Sequence, residues 1–227
     1  MVSFETKYLI RWGIPGWVFI IFTYVTHLSY KGNPFLGNQF TVPQLLGILI
    51  SLGFVGIVLG YLMHQIYFSV NWIFSKSSSK KLKKTMDLIS DKDVLGIDPY
   101  EFDHHRAYFT FEFYWQKQLL LAPEDKRTYI AERYSYLLTT IHGLGALLVS
   151  IILSVVSVGA IIINNELNWF SGTLVFILGY LCFSVFKGFS YYSENLIYFQ
   201  ANFINSFTKN EFKEKSSRER IEIKENK

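Results

Sequence analysis

Glu101, His104, His105 and Glu112 lie within the run EFDHHRAYFTFEFYW, residues 101–115. Carboxylates and imidazoles trade protons near neutral pH and ligate zinc, iron or manganese, so this is where the chain could do chemistry. On a helix Glu101, His105, Tyr108 and Glu112 recur at i, i+4, i+7 and i+11 and share one face, with His104 beside it. His64 and His142 fall at the ends of two apolar stretches. Glu101, His104, His105, His64 and His142 are therefore a candidate metal-ligand set, suited to an interfacial enzyme acting on a lipid or membrane-soluble substrate.

That chemistry lacks its full complement. Glu101-x-x-His104 has the spacing that carboxylate-bridged di-iron bundles use, but those need a second copy and two further glutamates. Five histidines do not fill the several histidine boxes of membrane desaturases. Asp103-His104-His105 is similar to the DHH of soluble phosphoesterases, whose large α/β domain has no counterpart here. No glycine-rich phosphate loop, GxSxG or HExxH occurs. The competing expectation needs no cofactor. Glu101, His104, His105, Tyr108 and Glu112, with Arg127 and Arg133 on a facing helix, form a polar seam or a partner-sensing surface, its carboxylates paired with Arg106, Arg127 or Arg133.

The elements that must carry this stripe follow from solvent. Half of the 227 residues are hydrophobic and 18% are aromatic, too apolar for one ordinary soluble domain. Four stretches, 12–30, 45–63, 143–163 and 169–186, contain no Asp, Glu, Lys or Arg. At about 1.5 Å per residue each crosses a hydrocarbon core of roughly 30 Å. The expected fold is an all-α integral membrane protein with four transmembrane helices. The first stretch carries aromatics throughout and no small-residue cleavage site, which argues against a cleaved signal.

Basic residues orient it. Of 22 lysines and arginines only Lys31 falls in the two short loops assigned to the outside, which places both termini in the cytoplasm. Lys76, Lys80, Lys81, Lys83 and Lys84 beside the second span are expected to hold an anionic leaflet, at roughly 1 kcal/mol each, rather than nucleic acid. The setting is that of a bacterial cytoplasmic membrane.

Asp98 and Pro99 read as a helix start, and APED at 122–125 as a break and a second start. A cytoplasmic hairpin of 100–121 against 123–141 results, its second arm continuous with the third span. The expected organisation is 1–75 for the first two spans, 76–136 for a basic linker and hairpin, and 137–188 for the last two spans. An amphipathic helix over 189–208 and a frayed charged tail over 209–227 complete it.

No span carries an ionisable group at mid-depth and no halves repeat, which argues against a transporter. Gly56 and Gly60, and Ala146, Ser150 and Ser154, are small-residue ladders for close helix packing, within the chain or between copies in a homo-oligomer. The function expected is that of a non-enzymatic sensor, effector or anchor whose cytoplasmic head takes a protein partner or signal and couples it to the bilayer. In architecture alone, with no shared motif, it resembles small bacterial membrane effectors of stress and defence.

Overall fold

The structure is a computed structural model that describes residues 6–31, 41–74, 77–89 and 104–225, of which 6–11, 45, 72–74, 77–79, 104–106, 125 and 207–225 are described as backbone only. Among the described residues every regular element is helical. They are α1 (Thr6–Lys31), α2 (Val42–Phe68) with a π-helical turn (Ser69–Phe74), α3 (Ser77–Asp87), α4 (His104–Leu121), α5 (Glu124–Asn165) and α6 (Trp169–Glu225).

Local chemistry sets the ends. At α2 the extended Thr41 donates its amide to Gln44 Oε1 at 3.0 Å, and a proline falls in the first helical positions. At α6 Asn168 and Ser171 cap reciprocally, the Ser171 amide donating to Asn168 Oδ1 at 2.7 Å and the Asn168 amide to Ser171 Oγ at 3.3 Å. The Tyr30 hydroxyl donates to the Glu166 carbonyl at 2.6 Å, anchoring the short turn between α5 and α6.

The chain forms two compact units, Met1–Phe74 with Thr139–Tyr191 and Ser75–Leu138 with Tyr192–Lys227. The unit boundaries fall inside α5 and α6, which run on as single helices. Among the described residues three helices are long and apolar enough to cross a membrane: Val42–Asn71, Lys126–Asn165 and Trp169–Ser206. Helix α1 is not among them, because its uncharged run is diluted by Trp12, Gly13, Pro15, Trp17, Thr23, Tyr24 and His27.

In the first unit many large apolar side chains point outward. Leu49, Phe54 and Val58 on α2, Val156 and Ile163 on α5, and Phe176 and Phe183 on α6 are all more than half exposed. Such a surface suits hydrocarbon and is costly in water. Inside, Ile151, Val158 and Leu178 pack with Val18 and Phe22, joining α5 and α6 to α1.

Helices α1 and α2 meet backbone to backbone. A Cβ placed on Gly60 would overlap the Trp12 carbonyl, one on Gly16 the Gly56 carbonyl, and one on Gly56 the Trp17 indole. Trp17 Nε1 donates to the Gly53 carbonyl at 3.3 Å. Ser150 of α5 donates its hydroxyl to the Pro15 carbonyl. Ala146, Ser150 and Ser154 are fully buried, and Ser154 donates to the Ser150 carbonyl at 2.8 Å.

The second unit has its own core: Leu82 and Met86 from α3 with Ile89 just after it, Ala107, Phe111 and Trp115 from α4, and Ala201, Phe203 and Ile204 from α6. Two expectations change here. The lysine-rich linker holds a helix, because Leu82, Met86 and Ile89 at i, i+4 and i+7 give it an apolar face. The stretch after 208, expected to fray, continues α6 to Glu225, and its opposite charges four apart, such as Glu211 with Lys215 and Glu214 with Arg218, suit a helix.

The α1–α2 contact makes a direct prediction. Gly60→Val is expected to lower stability in detergent by roughly 1–3 kcal/mol, since a backbone carbonyl cannot yield. Gly47→Ala, where nothing stands near the added carbon, is expected to stay within about 0.5 kcal/mol of the parent. Thermal unfolding followed by size exclusion checks both, and equal effects would contradict the contact.

Candidate functional site

The stripe on α4 is positioned by that helix's buried face. Ala107, Phe111, Trp115 and Gln118 follow at i, i+4, i+8 and i+11 and are all buried, which turns Tyr108 and Glu112 to its flank. Trp115 is 1% exposed and sits among three rings, with centroids 4.7 Å from Phe203, 5.3 Å from Tyr134 and 6.0 Å from Phe199.

The turn into α5 is clipped by Arg127. Its guanidinium donates to the Ala122 carbonyl at 3.1 and 3.4 Å, and its amide donates to the Pro123 carbonyl at 2.8 Å. This fixes α5 against α4 so that the Tyr134 hydroxyl reaches Glu112, 3.2 Å from each carboxylate oxygen. Gln116 donates to the same carboxylate at 3.5 Å. Burial pushes the Tyr108 phenol above its ordinary value, and the negative charge of Glu112 pushes it further the same way. The cluster is thus a carboxylate held by a neutral phenol with a second phenol beside it, an arrangement that holds protons and joins two helices.

The described partners of Glu112 are Tyr134 and Gln116, and the side chain of Arg106 lies outside the described residues. Arg127 is engaged at the turn, and Arg133 lies over the Tyr136 ring at 5.6 Å. Neighbouring helix positions diverge by about 100°, so when Tyr134 faces Glu112 the adjacent Arg133 faces elsewhere. A phenol needs no charge to be desolvated, and nothing in the residue spacing singled out Tyr134.

Glu101 lies outside the described residues, as do Asp98 and Pro99, and His104 and His105 are described only as the backbone of the first turn of α4. His64 and His142 belong to the other unit. His64 Nδ1 is 3.0 Å from the Gly60 carbonyl, and the His142 ring lies against Phe68 at 4.8 Å and Tyr67 at 5.9 Å. Among the described residues no group of three or more His, Cys, Asp and Glu is arranged to hold a metal.

The lysines divide between two surroundings. Lys76 lies outside the described residues, and Lys80 and Lys83 are exposed on α3. Lys81 donates to Ser193 Oγ at 3.3 Å, and burial lowers its pKa. Lys84 pairs with Glu194 at 3.2 Å and lies over the Tyr198 ring at 5.8 Å. These two side chains tie α3 to α6, Lys81 half-buried and Lys84 still exposed. The apolar spacing of Leu82, Met86 and Ile89 was the signal that could have revealed it.

A phenol with a raised folded pKa binds its proton more tightly when folded than when unfolded. Stability is then complete below the ordinary phenol range near 10 and falls as pH rises above it. Tyr108→Phe is expected to reduce this alkaline loss, and thermal denaturation from pH 8 to 11 measures it. An unchanged pH profile would contradict the burial of that phenol.

Compared with family models, curated proteins and solved structures, the chain matches none.

Proposed function

We propose that the chain is an integral membrane protein with four crossings, α1 included, and with both termini in the cytoplasm. The unit built from α3, α4, the start of α5 and the second part of α6 is its cytoplasmic head. The head receives a protein partner or signal and passes it into the bilayer without chemical turnover. One observation carries this reading: α5 and α6 each leave the head and enter the apolar unit without a helix break.

Three features support it. The lysine and arginine bias puts the head on the cytoplasmic side. Exposed Lys80 and Lys83 suit an anionic leaflet, at about 1 kcal/mol each. Phe109, Phe113 and Leu120 on α4 are 61%, 71% and 67% exposed, an apolar outer face that a protein partner would cover. Partner binding that tilts or rotates α4 on the Arg127 clip would move α5 with it, a shift of packed helices of the kind that switches many membrane assemblies.

Two measurements test this reading. In a Cys182→Ser background, Glu166→Cys is expected to react with an impermeant maleimide added to intact cells, and Lys117→Cys only after permeabilisation. Labelling of both from the same side would contradict the topology. A photo-cross-linker at position 113 is expected to yield a discrete protein adduct in cells, whereas adducts with lipid alone would contradict the partner role.

A further inference from the structure

The polar atoms on the outer face of α6 within the apolar unit are unexplained by the head. Tyr180 is 67% exposed and Ser184 is exposed beside it, one helical turn on. Among the described residues neither hydroxyl has a hydrogen-bond partner. Tyr180 stands eleven residues after Trp169, at the start of α6, and seven before Lys187, the next charged residue. At 1.5 Å per residue those distances are about 16 and 10 Å, so the phenol lies inside a core of roughly 30 Å. A helical tyrosine leans toward the N-terminus of its helix, which carries the hydroxyl further from the head end and its water. Hydrocarbon offers no partner to such a group, and leaving it bare is costly.

We infer that α6 pairs with α6 of a second copy of this chain along Thr173, Ile177, Tyr180 and Ser184. This inference rests on the membrane reading above. All four are exposed and are spaced four, three and four, the repeat of a left-handed helix pair. Copies insert with the same orientation, so the helices run parallel about an axis along the membrane normal, where each residue meets its own counterpart. A hydroxyl is both donor and acceptor and so satisfies its own copy, which a lysine or a carboxylate does not. The first hydroxyl of the seam, Thr173, bonds the Trp169 carbonyl of its own helix at 3.0 Å and adds only packing. Tyr180 and Ser184 form two self-paired layers.

The test is oxidative cross-linking in native membranes from a Cys182→Ser background. Ile177→Cys and Ser184→Cys are expected to give a disulfide-linked dimer. Val156→Cys, more exposed than Ile177 and on α5, is expected to give none. Separately, Tyr180→Phe is expected to weaken dimer association in mild detergent by roughly threefold, the loss of one intramembrane hydroxyl pair. Carbonate extraction separates the two possible failures. Release of the chain from membranes would overturn the membrane reading itself. Retention with no dimer at 177 or 184, equal dimer at 156, or adducts of another mass would overturn the α6 seam alone.

Discussion

Gly60 has no side chain, and the Trp12 carbonyl occupies the place where one would be. The packing of the apolar unit depends on this approach. Because α1 and α2 touch at Gly16, Gly56 and Gly60, the Trp17 indole packs against Gly56 and bonds the Gly53 carbonyl. The same contact buries Pro15, whose carbonyl then takes the hydroxyl of Ser150 on α5. The Gly60 carbonyl faces His64 Nδ1 at 3.0 Å, so that imidazole is bound to its own helix. Small residues thus do in this unit what hydrophobic burial does in water, since apolar surface gains little by leaving lipid.

The unit proposed as the head is packed differently. Its core is aromatic and closed, with Trp115 at the centre and α3, α4 and α6 contributing in turn. Two charged groups at its flank are met by neutral hydroxyls, Glu112 by Tyr134 and Lys81 by Ser193, while the ion pair of Lys84 with Glu194 stays exposed. Desolvating a full ion pair costs several kcal/mol per ion, and a phenol on a carboxylate avoids half of that. The outward face of α4, with Phe109 and Phe113, is what this economy leaves unsatisfied.

Much of this was readable from charge and apolar runs. The uncharged stretches 45–63, 143–163 and 169–186 lie in helices long enough to span, and the break at Ala122 and Pro123 stands between α4 and α5. Other features need contacts that no local pattern encodes. Five lysines within nine residues hid a helix whose buried side carries Leu82, Thr85 and Met86, with Ile89 following its end. Tyr134 on Glu112 depends on the phase between two helices, which is set by the Arg127 clip and not by spacing along either. For α1, absence of charge alone leaves the crossing a proposal, because its tryptophans, threonines and glycines make it the least apolar of the four stretches.

The account turns on α5 as one unbroken element joining the head to the apolar unit. Spin labels at Tyr129 and Val156, both exposed and 27 positions apart, test that directly in a Cys182→Ser background by pulsed electron resonance in reconstituted bilayers. A continuous helix predicts a narrow distribution near 40 Å. A broad or markedly shorter distribution would mean that α5 breaks between the two units, and would contradict its role as a rigid link.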